Sequence, residues 1–106
     1  MTDEIHRDTL QQCLQLWGIQ GAEVSLAAQR ENTVFRINSG GRAFALRLHR
    51  PGYRSMGELQ SELQWMAHLN ANGLGTPEPL ASIDGSYCHE INGTIVDVLE
   101  WLEGKP

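Results

Sequence analysis

Ala43-Phe44-Ala45-Leu46-Arg47-Leu48-His49, followed after a Pro51-Gly52 break by Ser55-Met56-Gly57-Glu58 and a helical pattern running to about Asn72, writes a strand and a long helix back to back. Alternation along the strand puts Ala45 and Arg47 on one face and Phe44, Leu46 and Leu48 on the other. Ser55 and Glu58 have the spacing of a capping box, in which each side chain satisfies the other's backbone N–H. Leu59, Leu63, Met66 and Leu69 or Asn70 then trace one apolar stripe, and Gly73 supplies the residue that closes such a helix. Glu62 falls between Leu59 and Met66 and shares that inward stripe. A carboxylate so placed needs a cation, and Arg47 is the nearest one by topology.

Outward from this core the patterns are strands. Glu23 to Ala27, Val34 to Asn38 and Ala43 to His49 predict three antiparallel strands, the last two joined through Ser39-Gly40-Gly41-Arg42. Between the first two lies the polar, glycine-free segment Ala28-Gln29-Arg30-Glu31-Asn32-Thr33. Beyond the helix, Gly75-Thr76-Pro77-Glu78-Pro79 is an extended connector. Further strands are expected over Leu80 to Ile83, Tyr87 to Ile91 and Thr94 to Trp101, the last two turning at Asn92-Gly93. At the N-terminus, Asp8-Thr9-Leu10-Gln11 resembles a second capping box, predicting a helix from near Thr9 whose buried face carries Leu10, Cys13, Leu14 and Trp17 and which Gly18 ends. The expected fold class is α+β: an antiparallel sheet of about five strands with one long packed helix and an N-terminal helix.

Composition narrows the function. With 106 residues the chain forms one domain with a modest core. Its net charge of −5, with 8 scattered bases against 13 acids, excludes a broad nucleic-acid or anionic-membrane surface, so an anion site must be local. Acids at Asp3 and Glu4 replace the bases of a signal peptide, and no apolar run approaches the ~20 residues of a membrane span, so a cytoplasmic location is expected. Cys13 and Cys88 lack the close spacing of a metal or redox motif and read as buried free thiols. His49, His68 and His89 have no paired-ligand spacing and read as surface or strand residues, and Trp101 as an edge-strand or hinge residue.

A strand cation beside a helix carboxylate has two readings: an ordinary half-exposed ion pair contributing about 0 to 1 kcal/mol, or a phosphate grip in which Arg47 meets the α- and β-phosphates of a nucleotide and Glu62 orients it. Glu31-Asn32-Thr33-Val34-Phe35-Arg36, Phe44 to Arg50, Ser61-Glu62-Leu63-Gln64-Trp65-Met66 and Leu99-Glu100-Trp101-Leu102-Glu103-Gly104 occur in the order found in one family. Together, over about Ala22 to Gly104, they resemble the amino-terminal lobe of the aminoglycoside phosphotransferases, a family with choline-kinase-like and homoserine-kinase-like members and a protein-kinase-like fold.

The resemblance implies that residues 1–106 are the small, nucleotide-binding lobe of a larger phosphotransferase. In that lobe Ala28 to Thr33, including Asn32 and Thr33, covers the phosphates, and Arg47 is the phosphate-binding cation with Glu62 as its partner. Ala45 and Ile37 line the adenine ring, Leu99 is the gatekeeper, and the Glu100 carbonyl and Leu102 amide meet the adenine edge. ATP, with Mg²⁺ in the parent enzyme, is the implied cofactor. Two features depart from the pattern: many members carry lysine where this chain has Arg47, and the phosphate loop lacks the glycines of protein kinases.

Phosphoryl transfer also requires an acceptor-positioning Asp, usually in His-x-Asp with an Asn five residues on, and a metal-binding Asp. Neither follows Gly104 within these residues, and His6-Arg7-Asp8 reads as part of a helix cap, so the isolated lobe is expected to be inactive and to bind ATP weakly or undetectably. Its expected partners are nucleotide and a helical second lobe, or another copy of itself through the exposed cleft face. A reading from another class is a stand-alone binding or regulatory module that keeps the lobe fold without catalysis.

Overall fold

A computed structural model describes residues 2–29, 32–52 and 54–101. The element order is α1 (Thr2–Leu16), β1 (Glu23–Gln29), β2 (Asn32–Ser39), β3 (Arg42–His49), α2 (Met56–Ala71), β4 (Cys88–Ile91) and β5 (Thr94–Glu100). The five strands form one antiparallel sheet in the order β1-β2-β3-β5-β4, the α+β small-lobe architecture expected from the sequence.

Helix α1 starts well before Thr9. The residues from Thr2 to Arg7 contain no Gly or Pro to stop a helix, so the element continues upstream of Thr9. Asp8 is therefore not a cap but a mid-helix residue, whose carboxylate accepts from Gln12 one turn on, at 3.3 Å. Gly18 does close the helix: with φ of +71° it lets its own N–H reach Gln15 and the Ile19 N–H reach Leu14, at 3.1 and 2.8 Å.

The capping box of α2 forms as read. The Ser55 hydroxyl accepts from the Glu58 N–H at 3.1 Å, and Glu58 Oε1 accepts from the Ser55 N–H at 2.9 Å. Both hairpin turns also form, and Asn92 with φ of 53° is the one non-glycine residue among those described that takes a left-handed conformation. Leu80 to Ile83 does not form a strand. Pro77 and Pro79 remove alternate donors, so the connector only bridges β5 at Pro79–Leu99, with Leu80 N–H to Val98 at 2.9 Å and Glu100 N–H to Glu78 at 2.8 Å.

Strand alternation splits the core in two. Phe35, Ile37, Phe44, Leu46, Leu48, Val96 and Val98 face α1, where they bury Cys13, Leu14 and Trp17. Leu59 and Leu63 of α2 pack on the opposite face against Cys88, Leu99, Ala45 and Ile95. The sheet thus lies between the helices and separates the two free, buried cysteines. Burial, with a smaller contribution from the Asp97 charge, pushes the Cys13 thiol up to about 12 and raises Cys88 in the same way. Since the thiolate is the nucleophile, a disulfide-exchange reagent at pH 8 is expected to label neither cysteine of the native chain quickly, and both at once in urea. Fast labelling without denaturant would contradict this packing.

Candidate phosphate-binding site on the inner sheet face

The face that carries α2 also carries Arg47, but the cation's partner is not the one expected. Arg47 stands directly opposite Asp97 in the β3–β5 ladder. Its Nε donates to Asp97 Oδ1 at 2.7 Å and its Nη2 to Oδ2 at 3.0 Å. His49, two residues along the same strand and on the same face, brings Nε2 within 2.6 Å of Oδ2. Asp97 is 0% exposed, whereas the Arg47 side chain keeps 17% of its surface open. Burial alone would raise the Asp97 pKa, but the hydrogen bonds from His49 and Arg47, with their charges, outweigh it and hold the carboxyl below its ordinary value.

Glu62 is correspondingly displaced from its expected role. It lies at the rim of α2, 36% exposed, and accepts from Arg54 Nη2 at 2.6 Å. Arg54 sits just before the helix and also approaches Glu58 at 3.9 Å. The expected Arg47–Glu62 pair is therefore replaced by two others, Arg47–Asp97 and Arg54–Glu62. The cause is distance along the fold: a cross-strand neighbour on a shared ladder meets Arg47 directly, while Glu62 flanks the Leu59–Leu63 stripe and finds a cation at the rim.

The register sorts the remaining predicted residues. Asn32 is opposite His49, and Ala45 is opposite Leu99, so these join Arg47 on the inner face together with Val34 and Arg36. Arg36 lies over the Trp101 ring at 4.9 Å from its centroid. Thr33 and Ile37 are opposite Leu48 and Phe44 and belong to the other face. Ile37, with no exposed surface, is core beneath α1 and cannot share a ring-binding surface with Ala45. Of the segment Ala28 to Thr33 expected to cover the phosphates, Ala28 and Gln29 belong to β1 and Asn32 and Thr33 to β2, with a bulge at Ala27 adjusting the pairing. Glu100 ends β5, and the next amide, of Trp101, donates to Ala43 at 3.2 Å. Leu102 lies outside the described residues.

Sequence reasoning missed Asp97 and the buried His49. The signal for Asp97 was present: a lone acid in Ile95-Val96-Asp97-Val98-Leu99 cannot stay ionised inside a sheet without partners.

Comparison with known proteins agrees with this architecture. The chain is 34% identical over 74 residues to a homoserine kinase from Rhodopseudomonas palustris (strain HaA2), a match covering 70% of the chain and 22% of that relative. Among solved structures, a microcompartment-associated aminopropanol kinase superposes with a TM-score of 0.81 at 25% identity, over 93% of this chain and 32% of that one. The amicoumacin kinase hAmiN, solved with AMP-PNP, Ca²⁺ and Ami, superposes with a TM-score of 0.84 at 22% identity, over 99% of this chain and 35% of that one. The chain thus spans about a fifth of the curated relative and about a third of these structures. Residues 23–106 match the phosphotransferase enzyme family, which contains aminoglycoside-phosphotransferase-type kinases, and the chain belongs to that family.

Proposed function

We propose that this chain is the nucleotide-binding lobe of an ATP-dependent phosphotransferase that moves the γ-phosphate of ATP to a hydroxyl acceptor. The observation that carries the reading is the state of Arg47. Its two bonds to Asp97 use Nε–H and one Nη2–H, leaving three N–H groups on a guanidinium that keeps some exposure. Those groups include the end-on pair, one from each terminal nitrogen, whose spacing suits two oxygens of a phosphate. The half-buried Ala45 would line the adenine ring, with Leu99 buried opposite it as the gatekeeper, and Asn32, opposite His49 on the same face, would lie near the phosphates. The Glu100 carbonyl and Leu102 amide would complete the adenine contacts.

Within this reading the lobe binds and orients, and leaves proton transfer to others. The acceptor-positioning carboxylate and the Mg²⁺ ligands come from a helical lobe outside these residues, so the isolated lobe is inactive. Mg²⁺ bound with ATP would neutralise charge developing on the phosphoryl oxygens. Arg47→Ala in the full-length protein is expected to weaken ATP binding about tenfold, or about 1.4 kcal/mol. Equilibrium titration with Mg-ATP measures this, and an unchanged dissociation constant would remove Arg47 from the site.

A further inference from the structure

We infer that Asp97, a strand residue, is the positioning residue for the phosphate-binding guanidinium in this protein, in place of the carboxylate on α2. The inference rests on the nucleotide reading of Arg47 given above. Two parallel bonds, at 2.7 and 3.0 Å, fix the guanidinium plane to that of the carboxylate. The carboxylate is itself fixed: it lies on β5 between β3 and β4, is fully buried, and has Oδ2 held by His49 at 2.6 Å. With the inner edge of the guanidinium committed, the end-on edge has one orientation to present to a phosphate. Pairing lowers the free charge of Arg47, so recognition shifts from point-charge attraction to the geometry of a fork.

Glu62 could not do this from where it stands. It is engaged with Arg54 at 2.6 Å, and both side chains are more than a third exposed, at 36% and 43%. Such a rim pair is screened by water and holds neither partner firmly. The aim of Arg47 is consequently set inside the sheet and does not depend on where α2 rests. The phosphate-binding cation is assembled before nucleotide arrives, whichever way the helix leans.

The test is a double-mutant cycle in Mg-ATP affinity with the full-length protein, using Arg47→Ala, Asp97→Asn, the combined variant and Glu62→Gln. Asp97→Asn should weaken binding by roughly three- to tenfold, and the combined variant should match Arg47→Ala within about twofold, because a positioning residue has nothing to act through once the cation is gone. Glu62→Gln should stay within about twofold of the unmodified protein. Losses that multiply in the combined variant indicate a general structural effect and overturn the inference, as does a larger loss from Glu62→Gln than from Asp97→Asn. An unchanged affinity in Arg47→Ala instead overturns the nucleotide reading itself. Should Asp97→Asn fail to fold, the Arg47 Nε–H resonance of the ¹⁵N-labelled chain decides independently of nucleotide. It should exchange slowly with water and persist in Glu62→Gln, and exchange as fast as that of exposed Arg42 would sink the assignment.

Discussion

Asp97→Asn is expected to lower the unfolding free energy of the chain by about 3 kcal/mol, the low end of what breaking a buried ion pair costs. The substitution leaves the Arg47 charge without its counter-ion and turns an acceptor oxygen into an amide that donates toward the donors already there. Arg47 is 17% exposed, so water relieves part of the penalty and the upper end of the range is not reached. The rim pair makes the comparison: Glu62→Gln should cost about 1 kcal/mol or less, since Arg54 and Glu62 are both well solvated. Urea unfolding at pH 7 measures both, and equal midpoints for Asp97→Asn and the unmodified chain would refute the burial argument.

The pH dependence of that loss follows from its sign. Asp97 has a folded-state pKa held below the unfolded value, first against burial and then by His49 and Arg47. Its contribution is therefore fully present above the unfolded-state pKa of about 3.9 and is lost as pH falls through the folded value. Below the range in which histidine ionises, from about pH 5 to about pH 4, the stability gap between the unmodified chain and Asp97→Asn should stay constant, and it should narrow at lower pH. A gap that fails to narrow below about pH 4 would contradict an ionised, paired carboxylate in the native chain.

The fold was legible where local chemistry decides it. Ser55 and Glu58 announce α2, Gly18 and Gly73 close the helices, and Gly40-Gly41 and Asn92-Gly93 set two hairpins, because caps and turns depend on residues a few positions apart. Alternation in β3 likewise separated Arg47 from Phe44 and Leu46 correctly. The start of α1 was misjudged because an Asp can cap a helix or sit exposed within it, and only the upstream residues decide. Arg47 and Ala45 share one face of the sheet as alternation predicted, whereas the partner of Arg47 was not legible. Arg47 and Asp97 meet through a contact between β3 and β5 that spans the whole of α2, and no local rule fixes the register of strands so distant. Thr33 and Ile37 failed for a related reason: a strand that extends to Asn32 puts odd-numbered residues of β2 on the α1 face, and the expected loop had left that parity unassigned.

Leu63→Ala should cost about 3 kcal/mol, from lost apolar burial plus the cavity left between α2 and the sheet. Leu59 and Leu63 are the two fully buried side chains of α2, and Met56 and Met66 beside them are only partly covered, so the variant removes one of two anchors. The sheet's other face keeps its own cluster beneath α1, which makes a local loss separable from a global one. Cys88 belongs to the α2 cluster and Cys13 to the α1 cluster. If α2 lifts as its own unit, Leu63→Ala will speed labelling of Cys88 in native buffer while Cys13 labels only at the rate of whole-chain unfolding. If both thiols accelerate together, helix and sheet unfold as one body. Gln64→Ala, on the exposed side of the same helical turn, controls for propensity and should change stability by no more than about 0.5 kcal/mol. The separable outcome also bears on the site, because with Asp97 and His49 holding it, Arg47 should keep its protected Nε–H resonance in Leu63→Ala even while Cys88 becomes reactive.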